Sequence, residues 1–257
     1  MTQLKIETAW ALSKGERTAQ EDVLHLWFEP SGHSGYIIIA DGMGGHTSGD
    51  VASSIAVEAV DDSLTAHWAQ KDTLRNNMRT YLPELVNTAN TRLAHYIKAS
   101  PNTAGMGTTL LTAIILERQL YWASVGDSPL YLLRNKRLIQ LNDDHSMARQ
   151  IDQMVHAGQL TKEAAQDHPN RNTLTSVIMG DVIGDMDCSV SPFEMHKGDV
   201  LIAATDGISS LPQADLISCI LSSNQSAKEI SASIIAKIDA LKNPDQDNLA
   251  LCVAQIT

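Results

Sequence analysis

Residues 108–141 read TTLLTAIILERQLYWASVGDSPLYLLRNKRLIQL, and this stretch decides the fold class. Residues 108–117, 119–125, 130–134 and 137–141 are short runs of aliphatic, aromatic and β-branched side chains. Turn formers separate them: Glu117-Arg118, Gly126-Asp127-Ser128-Pro129 and Asn135-Lys136. Runs joined this tightly predict an antiparallel meander, because neighbouring parallel strands need a crossover of about a dozen residues or more. A Rossmann-type parallel sheet is excluded on that ground.

Working outward toward the N-terminus, residues 4–12 alternate Leu4, Ile6, Thr8 and Trp10 on one side, and residues 23–28 form a second strand candidate. Residues 36–49 read YIIIADGMGGHTSG. The apolar run 37–40 predicts a buried strand ending at Asp41, where a glycine-rich turn follows and His46 precedes a helix. The turn is not a P-loop, since Asp50 and Val51 stand where Lys and a hydroxyl belong. Nor is it a dinucleotide fingerprint, because Thr47 occupies the last glycine position. Helical spacing continues over residues 49–68 and again from Asp72, with Pro83 expected to break or kink the second helix.

Toward the C-terminus, residues 142–180 are polar and rich in His and Asp, and predict a mobile flap or lid over one edge of the core. Residues 199–204 form a strand ending at Asp206-Gly207. Helices are expected at 213–222 and 227–241, and a last strand at 249–256 with Asp247 at its entrance.

The chain has 257 residues, enough for one domain spanning 1–257, and no stretch reads as a linker. With Lys plus Arg at 19 against 30 Asp plus Glu, the net charge of −11 leaves no electrostatic footprint for nucleic acid or an anionic membrane. The 3 cysteines lack C-x-x-C spacing, which argues for reduced thiols in a cytoplasmic setting. No apolar stretch of about 18 residues occurs and the N-terminus lacks a signal-peptide pattern, so neither secretion nor membrane spanning is expected.

Acidic residues recur at predicted strand ends: Glu21-Asp22, Asp41, Asp127, Asp206 and Asp247. Each alone is an ordinary turn former. Together they supply the oxygen donors that hard divalent cations prefer, and a pair of such ions can activate water against a phosphoryl group.

At this point the chain resembles the type 2C, or PPM, metal-dependent protein serine/threonine phosphatases. The resemblance rests on motifs in order: Arg17-x-x-Gln20-Glu21-Asp22, Asp41-Gly42-Met43-Gly44-Gly45-His46 with Gly49, Gly107-Thr108-Thr109, and Val125-Gly126-Asp127-Ser128. They continue with Asp144-His145-Ser146, His168-Pro169, Asn172-x-Leu174-Thr175, Asp206-Gly207 and Asp247-Asn248. The resemblance implies an α+β fold in which two antiparallel β-sheets form a central sandwich flanked by antiparallel α-helices, with the flap at 142–180. It also implies two Mn²⁺ or Mg²⁺ ions. Asp41 would bridge them, Asp22 and the Gly42 carbonyl would serve one, Asp206 and Asp247 the other, and Glu21 would act through bound water. Asp127 with Asp206 would hold a weaker third ion. Direct attack by a metal-bridging water, with Arg17 on the phosphoryl oxygens and His46 as general acid, completes the implied mechanism.

The implied partners are phosphorylated Ser/Thr proteins and an opposing bacterial Ser/Thr kinase, with the enzyme a monomer. Gln20, Pro129, Ser176 and Ala250 depart from residues usual at their positions without removing a proposed ligand. Ser210 stands where many members have another Asp, so weak occupancy of a third metal site is expected. The alternatives are a catalytically silent phosphoprotein adaptor, opposed by the intact acidic set, and a two-metal phosphodiesterase or nuclease, opposed by the acidic balance.

Overall fold

All named strand pairings are antiparallel, as the short connections require. A computed structural model describes residues 4–44, 48–222 and 226–257. The first part of the chain supplies β1 (Ile6–Ser13), β2 (Asp22–Phe28), β3 (Ser34–Met43), α1 (Gly49–Trp68) and α2 (Lys71–Ala99). The middle supplies β4 (Gly107–Thr108), β5 (Leu110–Leu116), β6 (Gln119–Val125), β7 (Leu130–Arg134), β8 (Arg137–Gln140), α3 (Ala148–His156) and α4 (Lys162–Gln166). The last part supplies β9 (Asp187–Cys188), β10 (Phe193–Glu194), β11 (Val200–Ala204), α5 (Gln213–Leu221), α6 (Ala227–Leu241) and β12 (Leu249–Ile256).

One sheet runs β1-β12-β11-β7-β8; the other runs β10-β6-β5-β3-β2, with β4 on β3 and β9 on β6. The period-2 alternation of strands explains the layering. In β3, Ile37 and Ile39 face the other sheet while Tyr36, Ile38 and Ala40 pack under α1 and α2. In β12, Ala250, Cys252 and Ala254 face inward, while Leu249, Leu251 and Val253 pack under α5 and α6. The result is helices, sheet, sheet, helices, the sandwich expected from the resemblance.

Local expectations fail in three instructive places. β3 does not end at Asp41; it runs on to Met43 because Gly42 and Met43 pair with Thr108 and Gly107 of β4. The meander is not one sheet. Hairpin β5-β6 lies in one sheet and hairpin β7-β8 in the other, so residues 126–129 carry the chain across the sandwich. Gly126 makes that crossing with φ +101, and a Cβ there would lie 2.5 Å from Thr109 Cγ2. The buried Asn142 side chain secures it, accepting from the Leu130 amide at 2.7 Å and donating to Ser128 O at 3.0 Å. Third, α2 does not break: it continues for 29 residues through Pro83. Burial of Leu82, Leu85 and Val86 around it outweighs one lost backbone hydrogen bond.

The 142–180 segment contains α3 and α4. It is tied back by bridges Ser146 to Leu174 and Thr108 to Ile178.

Candidate active site

The site is assembled at one end of the sandwich from both sheets. Asp22, the first residue of β2, lies directly across from Asp41 of β3 in the strand register. The Gly107-Thr108-Thr109 motif clamps the Asp41 backbone. Thr109 N and Thr108 Oγ1 donate to Asp41 O at 2.9 and 2.8 Å, and Asp41 N donates to Thr109 Oγ1 at 3.0 Å. Gly42 must be glycine, because a Cβ would lie 2.0 Å from Gly49 O and 2.7 Å from Glu21 O. Ser53 Oγ of α1 donates to Glu21 O at 2.6 Å, pinning the start of that helix to the same spot.

The loop before β2 is held by a residue to which the sequence assigned no role. Asn248 is 4% exposed, accepts from Glu21 N at 2.8 Å, and donates to Lys14 O at 2.8 Å and Ala19 O at 3.0 Å. Beside it, Arg17 Nη2 donates to Asp247 Oδ2 at 2.5 Å. Asn248→Ala strands one amide and two carbonyls, and at about 1–3 kcal/mol per buried unpaired group it should cost about 3 kcal/mol or more of stability. Urea unfolding at equilibrium checks this; a midpoint close to wild type would show that water or neighbouring groups replace the amide.

Asp206 opens a short 3₁₀ turn, Asp206–Ser210, after β11. Gln246 Nε2 donates to Gly207 O at 3.1 Å, joining this turn to the Asp247 loop. A cavity of about 550 Å³ results, lined by Arg17, Glu21, Asp41, Gly42, Asp127, Asp206 and Asp247, with Leu174 and Val177 of the 142–180 segment as an apolar wall. Asp22 is not among its lining residues; it is 3% exposed, buried opposite Asp41 in the strand register. Asp127 and Asp206 also line an adjoining cleft of about 250 Å³ with Asp144. The Ser210 hydroxyl turns back to donate to Gly207 O at 3.1 Å. His46, expected as general acid, lies outside the described residues. His145, whose role the motif left open, supports the Asp127 turn: Gly126 N donates to its Nδ1 at 3.1 Å, which places any proton of the neutral ring on Nε2.

Electrostatics set the chemical character of this cavity. Burial pushes Asp22 up to about 7, opposed by the hydrogen bond from Thr205 and reinforced by Asp206 and Asp247. Burial and then Asp206 and Asp144 push Asp127 up to about 7. Burial and Asp247 raise Asp206 to about 6, against Arg17 and a hydrogen bond with Asp41. Asp41 lies well above its ordinary value through burial and then Asp22, Asp206, Asp127 and Asp247. Buried carboxylates this close cannot all ionise without positive charge among them.

Asp206 Oδ1 and Asp144 Oδ1 are buried and, among the described residues, have no hydrogen-bond partner. An all-oxygen donor set with an unpartnered buried carboxylate oxygen fits a hard divalent cation. Among the described residues, no three Asp, Glu, His or Cys side chains are arranged to hold one ion by themselves.

The raised carboxyls determine a pH dependence. In chelator, the folded state holds protons on Asp22, Asp127 and Asp206 up to about pH 6 to 7, whereas the unfolded chain releases them near the ordinary carboxylate value of 3.8. The stability they contribute is complete below about pH 4 and is lost as pH rises through about 7, amounting to a few kcal/mol. Urea midpoints in EDTA should therefore fall between about pH 5 and about pH 7.5, less steeply in Asp127→Asn. Equal slopes for the two proteins would disprove the assignment.

The Protein phosphatase 2C family pattern matches residues 14–237. The chain belongs to that family. Over 226 residues it is 32% identical to the serine/threonine phosphatase stp of Listeria welshimeri, covering 87% of this chain and 86% of that one. Its fold superposes on the serine/threonine phosphatase of S. agalactiae with a TM-score of 0.81 at 26% identity, covering 97% and 99% of the two chains. It also superposes on the catalytic domain of PstP, solved with two manganese ions, with a TM-score of 0.77 at 24% identity, covering 99% of each. This protein phosphatase 2C is a metal-dependent serine/threonine phosphatase, a hydrolase of phosphoproteins. Among its described residues no helix is long and apolar enough to cross a membrane.

Proposed function

We propose that the cavity binds the phosphoryl group of a phosphoserine or phosphothreonine protein and hydrolyses it directly, without a covalent enzyme intermediate. The observation carrying this is the convergence of Asp41, Asp127, Asp206, Asp247, Glu21 and Arg17 on one cavity. Asp41, Asp22, the Gly42 carbonyl, Asp206 and Asp247 would hold two Mn²⁺ or Mg²⁺ ions, with Asp22 and Gly42 serving one, Asp206 and Asp247 the other, and Glu21 acting through water. Asp127 with Asp206 offers a weaker third position. When bound, the ions relieve carboxylate repulsion, draw charge from the phosphoryl oxygens and acidify the attacking water. The PstP likeness supports manganese as one competent metal.

Arg17 binds the phosphoryl oxygens through its planar fork. Its pairing with Asp247 orients the guanidinium at the cavity wall. Leu174 and Val177, which also line the cavity, shed water from it, and this is the part we assign to a flap at 142–180. His46 protonates the departing seryl or threonyl oxygen; its position, two residues after the cavity-lining Gly44, supports that role. Cys219 and Cys252 are buried and take no part. The enzyme works in the cytoplasm as a monomer, opposing a Ser/Thr kinase.

The test is hydrolysis of p-nitrophenyl phosphate and a phosphothreonine peptide in Mn²⁺ and in EDTA. Peptide turnover that EDTA removes and Mn²⁺ restores supports the proposal. Peptide binding without turnover in any divalent cation rejects it.

A further inference from the structure

We propose that Thr205 is a positioning residue that fixes how Asp22 presents its carboxylate to an ion; this rests on the assignment of Asp22 as a ligand above. Thr205 is fully buried, immediately after β11. Its amide donates to Ala250 O at 3.0 Å, and its Oγ1 accepts from Ala250 N at 2.9 Å. A hydroxyl carries one proton. With Ala250 occupying a lone pair, that proton goes to Asp22 Oδ2 at 2.7 Å.

Among the described residues, no other side chain is hydrogen-bonded to the Asp22 carboxyl. The bond spans 183 residues of sequence and links β2 of one sheet to the end of β11 in the other. It engages Oδ2 and, together with a backbone hydrogen bond from Ala250 to the same carboxyl, fixes how the carboxyl is turned. Position 250 is alanine, so β12 contributes only its backbone here, and the orienting hydroxyl comes from Thr205 alone. Partners that orient ligand carboxylates typically change metal affinity by about 10- to 100-fold when removed.

The test measures Mn²⁺ binding by calorimetry on the full chain, comparing wild type, Thr205→Ser and Thr205→Ala, which differ from each other by one oxygen. Thr205→Ala is expected to raise the Kd for the tighter ion about 10-fold or more, and Thr205→Ser to stay within about 2-fold of wild type. Urea midpoints in EDTA report the structural contribution separately. A merely structural role lowers the Thr205→Ala midpoint and leaves the Kd of the folded protein unchanged, which overturns the proposal. Serine binding as weakly as alanine also overturns it. Thr205→Val keeps the side-chain shape without the donor and is judged by the same criteria if the alanine variant does not fold. Asp206→Asn separates the two levels: unaltered Mn²⁺ binding there defeats the site assignment itself, whereas its loss alongside unaltered binding in Thr205→Ala defeats only the role of Thr205.

Discussion

Asp206→Asn should lower kcat/KM on a phosphothreonine peptide by about 10³-fold or more and abolish the gain in Tm that Mn²⁺ produces, while making the metal-free protein more stable. The rate loss follows from the several kcal/mol of charge stabilisation that a two-metal site supplies, since each 1.4 kcal/mol is about tenfold. Asparagine keeps the shape of the side chain but replaces an anionic oxygen that is buried without a hydrogen-bond partner among the described residues. The stability gain follows from repulsion. Asp206 raises the pKa of Asp22, Asp41 and Asp127, so neutralising it relaxes all of them at neutral pH. The loss of the Arg17 attraction works the other way, but Arg17 is exposed and keeps its contact with Asp247. Activity lost together with a higher urea midpoint in EDTA is the expected signature. Activity within about tenfold of wild type would remove Asp206 from the ion site, and a lower midpoint would show that it stabilises the fold.

His46→Ala should slow turnover of phosphoserine and phosphothreonine peptides by about 10² to 10⁴-fold while leaving Mn²⁺ affinity nearly unchanged. The argument is about the leaving group. A seryl or threonyl alkoxide is a strong base and must be protonated as it departs, whereas p-nitrophenolate departs without help. The variant should therefore be impaired much less on p-nitrophenyl phosphate than on peptides. Equal losses on both substrates would contradict the proton-donor role, and loss of Mn²⁺ binding would make His46 a ligand instead.

Where the determinants of structure were local, they were legible in the sequence. Helix α6 and strand β12 occupy residues 227–241 and 249–256 as periodicity predicts, because α6 begins at a Ser226–Glu229 capping box and β12 is buried on both faces. The acidic motifs indicated the site because turn chemistry and metal chemistry share the same residues. Three features required the folded chain. The sheet change at residues 126–129 was hidden because a hairpin pattern does not say which sheet a hairpin joins. The extension of β3 past Asp41 depends on pairing with β4, distant in sequence. Asn248 and Thr205 act across separations of 227 and 183 residues, and an ordinary Asn or Thr carries no local sign of such a bond.

Because Asp22 and Asp41 ride on one sheet while Asp206 and Asp247 border strands of the other, the proposed reaction centre straddles a seam. Its alignment is inherited from the layer between the sheets, where Ile39, Leu111, Ala203 and Cys252 pack in one buried cluster. A shift along that layer would move the two sets of carboxylates relative to each other. Selection for precise chemistry therefore reaches deep into the hydrophobic interior, and a methyl group lost there can silence an enzyme whose every functional side chain is intact.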